Sequence, residues 1–256
     1  MALMNNPVLT IENLDKHFGH VAVLRGVSAV LLPGTVTAFV GPNGAGKTTL
    51  FHAITGDLAP DGGAVRLRGK PITGWKPWKI AREGIGKMFQ DVRVFDNLTI
   101  TENVLLALHD HGGQSAWMSL VKSPSRRKRE TALMEEAESW LERAGVEPPY
   151  DRPAELLSFG NKKLLALARL MAGRFDVLLL DEPTAGVSPP MVDRIADLIG
   201  QLTARGMTIA LIEHNFSFVG QVAEWTYLLR EGKIHDHGPT AEVLAREENR
   251  EVLIGL

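Results

Sequence analysis

The chain has 256 residues, 45% of them apolar, enough to bury a substantial core in one large domain or two lobes. With 28 Lys and Arg against 30 Asp and Glu the net charge is −2, so no global field favours nucleic acid or anionic lipid. The absence of cysteine excludes disulfides, a thiol nucleophile and thiolate metal sites.

In chain order, residues 1–7 lack the basic-then-apolar pattern of a signal peptide. Residues 8–11, 26–32 and 35–40 read as strands, the last two separated by a Pro33-Gly34 turn. Residues 49–54 can continue as a helix, and 64–68 form a strand bounded by glycines. Trp75 and Trp78 flank Pro77 in a turn and are assigned to packing. From about residue 91 the pattern becomes helical. Residues 99–108 put Ile100, Val104, Leu105 and Leu108 on one face, with Thr99 and Glu102 at capping-box spacing. A charge-rich helix spans 126–144, its Arg126–Arg129 cluster answered by Glu130, Glu135, Glu136 and Glu138 as a solvated face; a third helix covers 162–171. Residues 177–180 and 208–212 are continuously apolar, as strands covered on both faces of a parallel sheet should be. The expected organisation is one α/β domain: residues 1–90 and 175–256 form a core lobe, interrupted by a helical insertion over 91–174. No stretch approaches the ~18 apolar residues of a membrane span, so any link to a membrane is expected to run through another protein.

Between the strand ending at Val40 and the helix that follows lies Gly41-Pro42-Asn43-Gly44-Ala45-Gly46-Lys47-Thr48, with Thr49 next. Strand–loop–helix is the setting a phosphate-binding loop requires. Its glycines let successive N–H groups turn inward around phosphate oxygens at a helix start. Lys47 would reach the β/γ-phosphates and Thr48 would ligate Mg²⁺, so the chain is expected to bind a nucleoside triphosphate. A second element, Val177-Leu178-Leu179-Leu180-Asp181-Glu182-Pro183, ends a parallel strand at its carboxyl end, where functional groups gather. Asp181 can hold Mg²⁺ there, and Glu182 can orient or deprotonate an attacking water. A third is Leu157-Ser158-Phe159-Gly160-Asn161, whose serine hydroxyl and free N–H groups at a helix start make an anion site.

The order of the phosphate loop, Gln90, Leu-Ser-x-Gly, Leu-Leu-Leu-Asp-Glu-Pro and His214 resembles the ATP-binding subunits of ABC transporters over essentially the whole chain. The resemblance implies a P-loop, RecA-like α/β core with a parallel sheet, an antiparallel β subdomain and an inserted α-helical subdomain. It implies that Phe18 stacks on adenine, that Gln90 touches Mg²⁺ and the attacking water, and that His214 senses the γ-phosphate. Thr48, Gln90 and Asp181 become the implied metal ligands; Lys47, Gln90, Glu182 and His214 are the catalytic set. Ser158, Phe159, Gly160 and Asn161 would face the ATP of a second subunit, so that ATP binding closes a dimer and hydrolysis reopens it.

Three positions depart from the family pattern: Phe159 stands for a glycine, Asn161 for a glutamine and Ser188 for an aspartate. Residues 81–95 and 98–104, the Ala185-Gly186-Val187-Ser188-Pro189 loop and the ending Val252–Leu256 are similar to subunits serving branched-chain amino-acid, amide and urea importers. That similarity implies a second ATPase subunit, identical or paralogous, integral membrane permease subunits, a solute-binding protein and no nucleic acid. It also implies a cytoplasmic location at the inner face of the membrane. Two alternatives remain: an exporter ATPase such as that of lipopolysaccharide export, and a non-transport ABC ATPase.

Overall fold

The computed structural model describes residues 6–88, 93–108, 124–173 and 175–249. Its elements run β1 (Leu9–Phe18), β2 (Val21–Leu31), β3 (Val36–Val40), α1 (Lys47–Thr55), β4 (Gly62–Leu67), β5 (Lys70–Pro71), α2 (Pro77–Arg82) and β6 (Ile85–Met88). There follow α3 (Ile100–Leu108), α4 (Pro124–Ala144), α5 (Phe159–Ala172), β7 (Val177–Asp181), α6 (Pro189–Thr203), β8 (Thr208–Ile212), α7 (Phe216–Val222), β9 (Trp225–Arg230), β10 (Lys233–Pro239) and α8 (Thr240–Ala245). The chain separates into two compact units, Met1–Gln90 with Phe175–Ala185 and Val192–Leu256, and Asp91–Arg174 with Gly186–Met191.

The first unit holds two sheets. One has the order β10-β9-β3-β8-β7-β6, parallel except for the antiparallel edge pair β9–β10; the other, β2-β1-β4-β5, is antiparallel. All residues of β3, β7 and β8 are buried, which is why these strands are mainly apolar. Of their few polar members, Thr208 is satisfied by a neighbouring turn: its hydroxyl accepts from the Gly34 N–H at 3.0 Å. Helix α1 contributes Leu50, Phe51, Ala53 and Ile54 to a single core with Leu9, Leu24 and Val65 of one sheet and Phe39, Leu179 and Ile212 of the other. Phe51 meets Phe39 edge-on at 6.0 Å, and Phe39 stacks on Tyr227 at 5.3 Å. Gly56 ends α1 at φ 74, and a Cβ there would lie 2.1 Å from the Trp75 carbonyl; only glycine lets this segment pack so closely.

In the second unit α3, α4 and α5 pack on one another. The capping box at α3 is reciprocal: the Thr99 N–H donates to Glu102 at 2.8 Å and the Glu102 N–H to Thr99 at 3.1 Å. Along α3, Ile100 and Val104 are buried, but Asn103 takes the third interior place while Leu105 and Leu108 are only half-buried. Its amide bonds the Phe95 N–H and carbonyl, fixing the preceding loop, a use that periodicity does not reveal. The helix expected from Lys162 starts at Phe159, because the Ser158 hydroxyl caps it by accepting from the Asn161 N–H. The strand expected over 8–11 continues to Phe18, bending through register shifts and a positive φ at Asn13.

Candidate active site

The loop between β3 and α1 depends on two glycines. A Cβ on Gly41, at φ 146, would lie 2.1 Å from the Leu229 carbonyl, and one on Gly46, at φ 101, 2.7 Å from the Val23 carbonyl. No side chain fits either place, so the backbone alone lines the turn and its N–H groups remain available to an anion. Asn43, Gly44 and Thr48 are exposed, Pro42 and Thr49 half-buried, and Ala45 buried. Lys47, buried as the first residue of α1, folds back and donates to the carbonyls of Gly41 at 2.8 Å and Pro42 at 2.9 Å. Burial lowers its pKa, opposed by the nearby charges of Glu182 and Asp181.

Asp181 ends β7 opposite Ile212 of β8 and is 2% exposed. Burial pushes its carboxyl up to about 6, against the pull of Lys87. Its Oδ1 is buried without a hydrogen-bond partner among the described residues. A buried, unsatisfied carboxylate oxygen at a strand end, with the exposed Thr48 hydroxyl in the same unit, suits a hard cation that takes oxygen ligands. The next residue, Glu182, has left-handed backbone at φ 48, a strain tolerated where a side chain must be aimed. Its N–H donates to the Ile212 carbonyl at 3.0 Å, and its Oε1 lies 3.2 Å from Nε2 of His214.

Lys47, Asp181, Glu182 and His214 thus gather at the carboxyl ends of β3, β7 and β8. Phe18, the last residue of β1, belongs to the same unit; its ring is 50% exposed, with the Lys16 ammonium 5.6 Å from the centroid. Ser158, Phe159, Gly160 and Asn161 belong to the second unit. There the Ser158 Oγ accepts from the Asn161 N–H at 3.3 Å and from its side-chain amide at 3.1 Å, which leaves the hydroxyl proton free to donate. The Phe159 ring lies over Gly186, where a Cβ would meet it at 3.1 Å. Gln90 lies outside the described residues.

Sequence reasoning passed over Glu213 and Lys87. The Glu213 carboxylate, 2% exposed, accepts from the N–H and hydroxyl of Thr184 and from the N–H of His214, tying together the turns that carry Glu182 and His214. Its signal was an acidic residue directly after an apolar strand. Lys87 pairs with Asp57 at 3.2 Å, and was detectable as the one charge in the strand Ile85–Met88.

The sequence profile of the ABC transporter family matches residues 24–185. The chain is 37% identical over 230 residues, 90% of each chain, to the high-affinity branched-chain amino acid transport ATP-binding protein BraF of Pseudomonas aeruginosa. It is 35% identical over 230 residues, again 90% of each chain, to the corresponding protein LivG of Escherichia coli. A nucleotide-free ATP-binding cassette from an ABC transporter is similar at TM-score 0.82 and 33% identity, over 98% of this chain and 100% of that one. The ADP conformation of an ATP-binding cassette of an ABC transporter gives TM-score 0.80 and 31% identity, over 98% and 99%.

Proposed function

Since this chain belongs to the ABC transporter family, we propose that it is the ATP-hydrolysing subunit of an importer for branched-chain amino acids or related amides, urea included. The chain binds and hydrolyses ATP, and the observation carrying this is the Glu182 carboxylate 3.2 Å from the His214 imidazole, in the unit where Lys47 crosses the phosphate loop. The N–H groups of residues 43–48 receive the β- and γ-phosphates while Lys47 exchanges its two carbonyl partners for phosphate oxygens. Phe18 offers its exposed ring to adenine. Glu182 accepts a proton from the attacking water as the new O–P bond forms and the β–γ bridge breaks, and His214 holds that carboxylate in position. Mg²⁺, held by Asp181, Thr48 and Gln90, supplies neutralisation of phosphate charge when bound.

A second copy or a paralogue presents Ser158, Phe159, Gly160 and Asn161 to the γ-phosphate, so ATP closes the pair and its hydrolysis releases it. Among the described residues no helix is long and apolar enough to cross a membrane. Separate permease subunits therefore carry the solute, with a solute-binding protein upstream, and the ATPase sits on their cytoplasmic face without nucleic acid.

Phosphate release by the purified chain, set against Lys47→Ala, tests the chemistry; turnover equal in both would refute it. Recovery of the tagged chain from mild detergent tests the assembly: permease subunits of an amino-acid importer are expected. An exporter's subunits, ribosomes or DNA in their place would reject the import reading.

A further inference from the structure

Although the chain as a whole is slightly acidic, residues 62–82 contain six Arg and Lys and no Asp or Glu. Three of the cations are neutralised: Arg66 pairs with Glu12, Arg68 with Asp176 and Lys70 with Glu83. Lys76, Lys79 and Arg82 are exposed and pair with no carboxylate among the described residues. They surround two indoles. Trp75 packs on the core and carries the Lys79 ammonium 3.6 Å and the Lys70 ammonium 5.1 Å from its ring centroid. Trp78 is 61% exposed, with the Arg82 guanidinium 5.2 Å from its ring.

The local sequence dictates this face. Pro77 opens α2 at a position where no N–H is needed, and Ile80, buried, pins one side of the single turn-and-a-half. Residue 78 is then about 200° around the helix from residue 80, while 82 falls within about 40° of 78. Trp78 and Arg82 must therefore point outward together. Packing was expected to explain both tryptophans; it explains Trp75 and not Trp78.

We propose that the α2 face, built from Lys76, Trp78, Lys79 and Arg82, rests on the surface of an anionic lipid bilayer. Unpaired ammonium and guanidinium groups attract lipid phosphates, and an exposed indole among them matches the interfacial zone where tryptophan is enriched. An acidic protein surface would account for the cations alone but gives the indole no apolar layer to enter. The contact needs no membrane span and adds to whatever the permease supplies. It does not rest on the transport reading, because its test uses the purified chain without permease and without turnover.

The test is flotation of the full chain with phosphatidylcholine vesicles, with or without about one third phosphatidylglycerol. Binding is expected to the anionic vesicles only, and to fall as salt rises from about 0.05 M to about 0.5 M. Reversing all three cations in Lys76→Glu/Lys79→Glu/Arg82→Glu should weaken it roughly 100-fold or more, at about five-fold per cation. Reversing the exposed pair Lys128 and Arg129 of α4 should not. A triple variant that keeps its melting temperature but floats like wild type overturns the proposal. So does equal loss in the α4 variant, or binding to acidic proteins without binding to vesicles. Independently of the cations, brominated lipid should quench fluorescence in wild type and lose most of that effect in Trp78→Phe; unchanged quenching also overturns it.

Discussion

The Thr184 hydroxyl donates to Glu213 Oε1 at 2.6 Å, and the Thr184 N–H donates to the same oxygen at 2.8 Å. The other oxygen, Oε2, accepts the His214 N–H at 3.1 Å. One buried carboxylate thus joins the turn after Glu182 to the turn that presents His214, and acts by positioning rather than by chemistry.

Glu213→Gln exchanges an acceptor oxygen for a donor and must lose one of these bonds. We expect kcat to fall roughly 10- to 100-fold, in line with losses on breaking supporting contacts of a reactive group, with the Kd for ATP nearly unchanged. A matching rise in Kd, or a collapse of thermal stability that accounts for the rate, would remove Glu213 from this role.

Glu182→Gln keeps the shape of the side chain and removes its basicity. Turnover should drop by about 10²- to 10⁴-fold, the usual contribution of a positioned base, while ATP-bound dimers accumulate in gel filtration. Wild-type turnover would show that another group takes the proton.

Asp181 is a test of pH dependence. Its carboxyl is raised from 3.8 to about 6 by burial. Between those values the folded chain keeps a proton that the unfolded chain has released, so stability is lost as pH rises through the window and the penalty persists above it. Without nucleotide or metal, Asp181→Asn should flatten that slope and stabilise the protein at pH 7 by about 3 kcal/mol, the order set by a shift of this size. Chemical denaturation at several pH values reads both; parallel wild-type and variant curves would refute the assignment.

Gly186 has φ 71, and a Cβ there would meet the Phe159 ring at 3.1 Å. Gly186→Ala should cost about 1–2 kcal/mol from left-handed backbone plus the steric contact. Combined with Phe159→Ala, only the backbone part should remain. Additive losses in a double-mutant cycle would show that the ring and the glycine are energetically independent.

Local spacing and composition were enough to determine the α/β class. Apolar runs at 177–180 and 209–212 read as strands covered on both faces, and three glycines before Lys47 between a strand and a helix read as a loop that turns backbone N–H groups inward. These are properties of neighbours along the chain. Asn103 and Glu213 defeat such reasoning, because a polar residue in an apolar face or after a strand is explained only by its distant partners, Phe95 and Thr184. Likewise Trp75 and Trp78 are indistinguishable as letters, and the direction of one short helix buries the first against the core and leaves the second in solvent. Burial set the unpartnered Asp181 oxygen, the direction of its pKa shift and the folded-back course of Lys47. The first two arise from desolvation among elements far apart in sequence, which no local pattern encodes, and the third from carbonyls of the same loop, whose direction the letters do not give.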